Sequence, residues 1–229
     1  MDPEGSGRVE RAPRGLTRRT VLAGAGGLAG LAAAAPAAHA QHTRRLGVAG
    51  RGRAAAEVVG RIVQDGLAVT GHGFLTRLAG LPDEAVFRGG DRSEAGSRFT
   101  FTADTVVSDR FIRGSLFSAT LTGTVAFYLD AGGGDFGDSA TFADGRRIAT
   151  FDTRIQNVLT VTGPDQALTT IEAELTQRSA PIFRLDGQRA QLGRRGMRTR
   201  MWASGPGSRT DAAAPRAVFE IAGRIDAAG

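Results

Sequence analysis

The side chains best suited to chemistry are few and scattered. His72 sits between Gly71 and Gly73. An imidazole moves protons near neutral pH, and the flanking glycines suggest a bulge or a close backbone approach. No partner lies near it in sequence, so the simpler reading is a structural or solvated histidine. Glu172 and Glu174 are two residues apart. On one strand they share a face at a separation of about 7 Å, a spacing that suits a pair of glycosidase carboxylates. Arg198 and Arg200 repeat that spacing and offer cross-strand partners. Asp152 and Arg154 extend the same charged pattern, which favours a polar outer wall. Asn157, Thr169, Gln177 and Thr199 are polar residues on otherwise apolar faces. In a filled core each needs a hydrogen-bond partner; in a hollow one each would orient a ligand. With His72 they form the candidate ligand-binding set. No catalytic residue is assigned. His39, His42 and His72 are too dispersed for a multi-histidine metal site, so no metal is expected.

Composition excludes several classes. The chain has 229 residues and no cysteine. Disulfides, thiol nucleophiles, thiolate metal sites and lipid attachment at a lipobox are therefore excluded. All 29 basic residues are arginine, which removes Schiff-base chemistry and any Walker-type phosphate loop. Against 23 acids the cationic excess is mild, and no nucleic-acid partner is expected. Arg189, Arg194, Arg195, Arg198 and Arg200 form a local run that would attract an anionic envelope polymer or lipid head group. A solvated strand face is the simpler reading. Two glycine-rich stretches, Gly24–Ala29 and Gly50–Ala55, match the dinucleotide fingerprint formally. Neither follows a convincing strand, and no haem, flavin, metal or other cofactor is expected.

The elements that position these residues are strands. From residue 57 onward the apolar period is two. Phe117, Ala119, Leu121, Gly123, Val125, Phe127 and Leu129 make one face; Ser118, Thr120, Thr122 and Thr124 make the other. Turn signals at Asp65-Gly66, Arg113-Gly114-Ser115 and Gly163-Pro164-Asp165 separate long runs. Strands are expected over 57–64, 67–78, 98–110, 116–129, 147–162, 166–178, 196–205 and 216–226. Asp186-Gly187 closes a small hairpin between 182–185 and 188–191. Loops cover 79–97 and 130–146, with a helical turn near Asp138–Phe142. Long alternating strands joined by short connections favour antiparallel neighbours. Closing them on themselves removes exposed edges. The expected fold is all-β, an up-and-down antiparallel barrel of about eight strands, with a β-sandwich as the alternative. Phe99, Phe101, Phe117, Phe127, Phe151 and Phe219 would point inward.

The N-terminal residues carry a different message. Arg18 and Arg19 precede Val21 and Leu22, an Ala/Gly-rich apolar stretch follows, and Ala38-His39-Ala40 closes it. This order is that of a secretory signal peptide, and the arginine pair resembles the twin-arginine export signal. Residues 1–40 are therefore read as a signal peptide cleaved after Ala40. Residues 41–54 form a flexible lead-in and 55–229 the barrel. The export machinery and signal peptidase are the expected partners, and the destination is secreted or in the cell envelope.

The segments Gly71-His72-Gly73-Phe74-Leu75-Thr76, Phe99-Thr100-Phe101 and Ala173-Glu174-Leu175-Thr176-Gln177-Arg178 give the chain its likeness. It resembles the allene oxide cyclase and dirigent barrels, less closely the lipocalins, and small exported actinobacterial proteins. The lipocalin Gly-x-Trp signature is missing near the first strand, since the single tryptophan is Trp202. The aromatic inward face, with no convergent catalytic set beside it, points to a barrel that binds a small hydrophobic ligand in its lumen. Two alternatives stand beside it. One is a cyclase or isomerase acting on such a ligand; the other is an envelope module that forms homo-oligomers through an outer barrel face.

Overall fold

The computed structural model describes residues 42–50, 52–129, 132–209 and 216–227. The signal-peptide residues Arg18, Arg19 and Ala40 lie outside them. Eight long strands close into an antiparallel barrel. They are β2 (Ala54–Asp65), β3 (Ala68–Leu78), β4 (Phe99–Arg113), β5 (Leu116–Leu129), β6 (Arg146–Gly163), β7 (Gln166–Ser179), β10 (Arg198–Arg209) and β11 (Arg216–Ala227). Strands neighbouring in sequence are neighbours in space. β11 closes the ring against β2, with Phe219 opposite Ile62 and Arg224 opposite Glu57. The expected barrel is what the chain forms, and closure leaves no long unpaired edge in its wall.

Three short strands stand apart. β1 (Arg44–Leu46), β8 (Phe183–Leu185) and β9 (Gln188–Leu192) form their own sheet in the order β1-β9-β8. β8 and β9 are the expected small hairpin. β1 lies within the stretch read as a lead-in and runs parallel to β9, with Leu46 opposite Leu192. Its three residues are too short for an alternating pattern to announce them. What holds β1 is burial: Leu46 is fully buried in one cluster with Leu78, Phe183, Leu185 and Leu192. This small sheet plugs one end of the barrel.

The wall alternates apolar-in, polar-out. On β7, Ala167, Thr169, Ile171, Ala173, Leu175 and Gln177 are buried while the charged Glu172, Glu174 and Arg178 are exposed. This is the reverse of a transmembrane barrel, whose lipid-facing wall must be apolar, so the wall faces water. Inside, aromatic rings occupy most of the space. Phe101 lies across Gly60 and Gly73. A Cβ at those positions would come within 2.8 Å and 2.9 Å of its ring, so the absent side chains are what admit it. Phe127 packs on Phe101 at 6.1 Å and on Phe151 at 5.6 Å between ring centroids. The voids left in the middle measure about 50 Å³ and about 30 Å³. The lumen is therefore largely a packed core.

The two longer connections lie at the plugged end. The segment 79–98 carries a 3₁₀ turn at Asp83–Val86, and a second 3₁₀ turn spans Ser139–Ala143, where a helical turn was expected. Asp138 caps that turn by accepting from the Ala140 amide.

Candidate functional site

The expected ligand-binding residues do not converge. Gln177 is fully engaged at the plugged end. Its Nε2 donates to the Ser179 and Leu192 carbonyls at 3.0 and 2.8 Å, and its Oε1 accepts from the Arg194 amide at 3.0 Å. It ties the barrel wall to the turn after β9. Thr199 lines the 30 Å³ void, and its buried hydroxyl has no hydrogen-bond partner among the described residues.

His72 lies on the outside of the wall. Gly71 faces the lumen, so the strand period sends His72 outward, where it stands opposite Arg61 on β2 and Thr102 on β4. Phe136 and Phe142 cover it at 5.7 and 5.0 Å between ring centroids. The Arg61 side chain latches that cover. It donates to the Phe136 carbonyl at 2.8 Å, lies 5.1 Å over the Phe136 ring, and pairs with Glu220 at 2.6 Å. The buried His72 Nε2 has no partner among the described residues. Burial, and next the Arg61 guanidinium, hold the imidazole below its ordinary value of 6.5, with Glu220 opposing them. His72 is thus the floor of a small aromatic cluster outside the barrel.

Asn157 and Thr169 form the one pair that meets. The Thr169 hydroxyl donates to Asn157 Oδ1 at 2.5 Å, which leaves the amide nitrogen of Asn157 as a free donor among the described residues. Asn157 lines a cavity of about 160 Å³ at the end opposite the plug. Phe117, Leu159 and Phe111 supply apolar wall; Gln64, Ser118, Arg110 and Arg209 supply its other polar side chains. Arg209 lies 4.3 Å over the Phe117 ring, a cation–π contact that fixes the guanidinium at the rim. The ionisable side chains of this lining are Arg110 and Arg209, both cations.

The other candidates fall on the outer wall. Glu174 pairs with Arg200 at 3.4 Å, and Glu172 stands opposite Trp202. Arg178 pairs with Asp152 at 3.1 Å. All three carboxylates face water, Asp152 and Glu174 as partners of arginines, and the arginine run is divided between this wall, β9 and the turn that follows it. Gly50–Ala55 leads into strand β2 and not into a helix, so it lacks the context a dinucleotide fingerprint needs.

Two mouth residues escaped the sequence reading for one reason. Gly205-Pro206-Gly207 looks like the end of a strand, yet β10 continues to Arg209. Its ladder with β11 lapses after Ser204↔Ala222 and resumes at Gly207↔Phe219, so the proline falls where the pairing lapses. Arg209 therefore closes the inward series Thr199, Met201, Ala203, Gly205, Gly207. On β4 the expected strand ended at Arg110, three residues short of its end at Arg113, so Arg110 read as a strand end. A basic residue ending an inward run was the available signal.

Comparison with protein-family models, with curated proteins and with solved structures returned no match.

Proposed function

We propose that this is an exported binding protein that takes the apolar part of a small amphipathic ligand into the mouth of its barrel. The observation that carries this reading is the 160 Å³ mouth cavity, which joins an aromatic and aliphatic wall to Asn157, Gln64, Arg110 and Arg209. A cavity of about 150 Å³ with apolar walls accommodates benzene, so the bound part is the size of one ring or a short acyl segment. Two cations, with no acid among the described lining residues, favour a carboxylate or similar anion at the polar end. The candidate set then divides: Asn157 contacts the ligand, Thr169 orients Asn157, and His72, Gln177 and Thr199 support the fold. A bound, unreacted ligand is favoured over the cyclase alternative because the ionisable side chains of the described lining are both cations and supply no acid–base pair.

The test is titration with phenylacetate and its neutral counterpart 2-phenylethanol, followed through backbone amide shifts. Shifts should concentrate at Phe117, Asn157 and Leu159. Ala119→Trp, which fills the cavity, should abolish them while leaving the melting temperature nearly unchanged. Shifts spread over the outer wall, or none with either probe, would overturn the reading.

A further inference from the structure

The β4–β5 hairpin runs well beyond its β3 neighbour, while β5 stays paired with β6 as far as Leu116↔Thr160. β3 pairs with β4 only as far as Ala68↔Val106. β4 runs on to Arg113, held from Asp109 onward by β5 alone. Every residue from Ser108 to Leu116 is exposed. The side chains are unusual for a free strand end. Alternation puts Phe111 with Arg113 on one face and Arg110 with Ile112 on the other. Phe111 is 60% exposed and Ile112 54%. Leu67, in the neighbouring hairpin turn, and Leu116 add to this apolar collar.

Two features decide what covers it. A rigid protein partner covers one face of a strand, but here both faces carry a large apolar side chain beside an arginine. An apolar medium that surrounds the tip satisfies both. The charges also have a sign. Arg110 and Arg113 make no ion pair with a described carboxylate. The nearby Asp109 turns back to accept from the Arg110 amide at 2.9 Å. Apolar groups flanked by unpaired guanidiniums fit the boundary between acyl chains and anionic head groups.

We infer that this lip docks on an anionic lipid bilayer, burying Phe111 and Ile112 among the acyl chains and placing Arg110 and Arg113 against phosphate. The lip shares Arg110, Phe111 and Ile112 with the mouth cavity, and docking does not require a ligand there. Docking sets the mouth cavity against the membrane, since Phe111 and Ile112 line both.

The experiment is flotation of the full chain with vesicles of phosphatidylcholine alone and of equal parts phosphatidylcholine and phosphatidylglycerol. The N-terminal sequence is common to all variants, so differences between them report the lip. The wild type should partition preferentially to the phosphatidylglycerol vesicles, less so at high salt. Arg110→Gln/Arg113→Gln should weaken that binding about thirtyfold, each arginine contributing about a factor of five. Phe111→Ser/Ile112→Ser should abolish it. The substituted side chains are exposed, and unchanged circular dichroism spectra and melting curves will show that the fold persists. Equal binding to both vesicle types, no binding to either, or variants that float like the wild type would overturn the inference. So would a concentration-dependent dimer, without vesicle binding, that the Phe111/Ile112 variant abolishes, since the lip's partner is then a second copy.

Discussion

Replacing Phe101 by alanine tests whether the lumen is a core or a container. Phe101 is 7% exposed, packs on Phe127, and fills the space left by Gly60 and Gly73. Removing a buried phenyl ring from a close-packed interior costs about 3–5 kcal/mol. The upper part of that range applies here. The glycines have no side chains to move into the gap, and closed strand ladders resist collapse. The new space joins the existing 50 Å³ void, which at about 24 cal/mol per Å³ already represents about 1 kcal/mol of unfilled packing. With a urea slope of about 2 kcal/mol per M, the midpoint should fall by about 2–2.5 M. Benzene should recover part of the loss, because an apolar cavity of about 150 Å³ retains it. A loss below about 1 kcal/mol, with no effect of benzene, would show that the ring borders open space. Ligands would then not be confined to the mouth.

Three further outcomes follow from the packing. His72 is held below its ordinary pKa of 6.5 in the folded protein, so the unfolded chain binds the proton more tightly. The contribution of His72 is then fully present above pH 6.5 and is lost as pH falls below it. Unfolding of wild type and His72→Phe at pH 7.5 and 5.5 should show a steeper decline for the wild type; parallel declines would remove His72 as the cause. Gln177→Leu leaves the Arg194 amide and the Leu192 carbonyl without their side-chain partner, costing about 2–4 kcal/mol. Hydrogen exchange at Arg194 should speed up, and unchanged exchange would count against Gln177 as the anchor. Thr199→Val removes a buried hydroxyl that has no partner among the described residues and should stabilise by about 1 kcal/mol in thermal unfolding. A loss of that size would show that the hydroxyl is satisfied.

The barrel was legible because its strands are long and one face of each is apolar. Leu116–Leu129 and Gln166–Ser179 repeat the period often enough to fix both their extent and their inward face. Asp65-Gly66 and Gly163-Pro164-Asp165 mark turns by the positive φ that such turns demand, 63° at Gly66 and 59° at Asp165. β1 was hidden because three residues carry no period, and a parallel partner about 146 positions away leaves no local trace. The site was less legible than the fold. Period two placed Asn157 and Thr169 inward, but not the depth at which each side chain lies along the axis. Depth decides that Gln177 meets the plug while Asn157 meets the mouth. Period two alone did not mark His72 as lying outside the wall: the outer face at Gly71-His72-Gly73-Phe74 is apolar too, covered by Phe136 and Phe142 from a connection some sixty residues away.

The closure of β11 on β2 also governs how the molecule comes into being. The pairing Ala217↔Gln64 joins residues near opposite ends of the described chain. Until β11 is available, β2 and β10 both present free hydrogen-bonding edges, and the wall is an open, strongly curved sheet with its aromatic face uncovered. Such distant pairings come late because the loop they close is long. During synthesis the nascent chain therefore holds an unprotected apolar surface until β11 emerges. Its vulnerability to aggregation belongs to that interval, before the ring is shut, and not to the finished barrel.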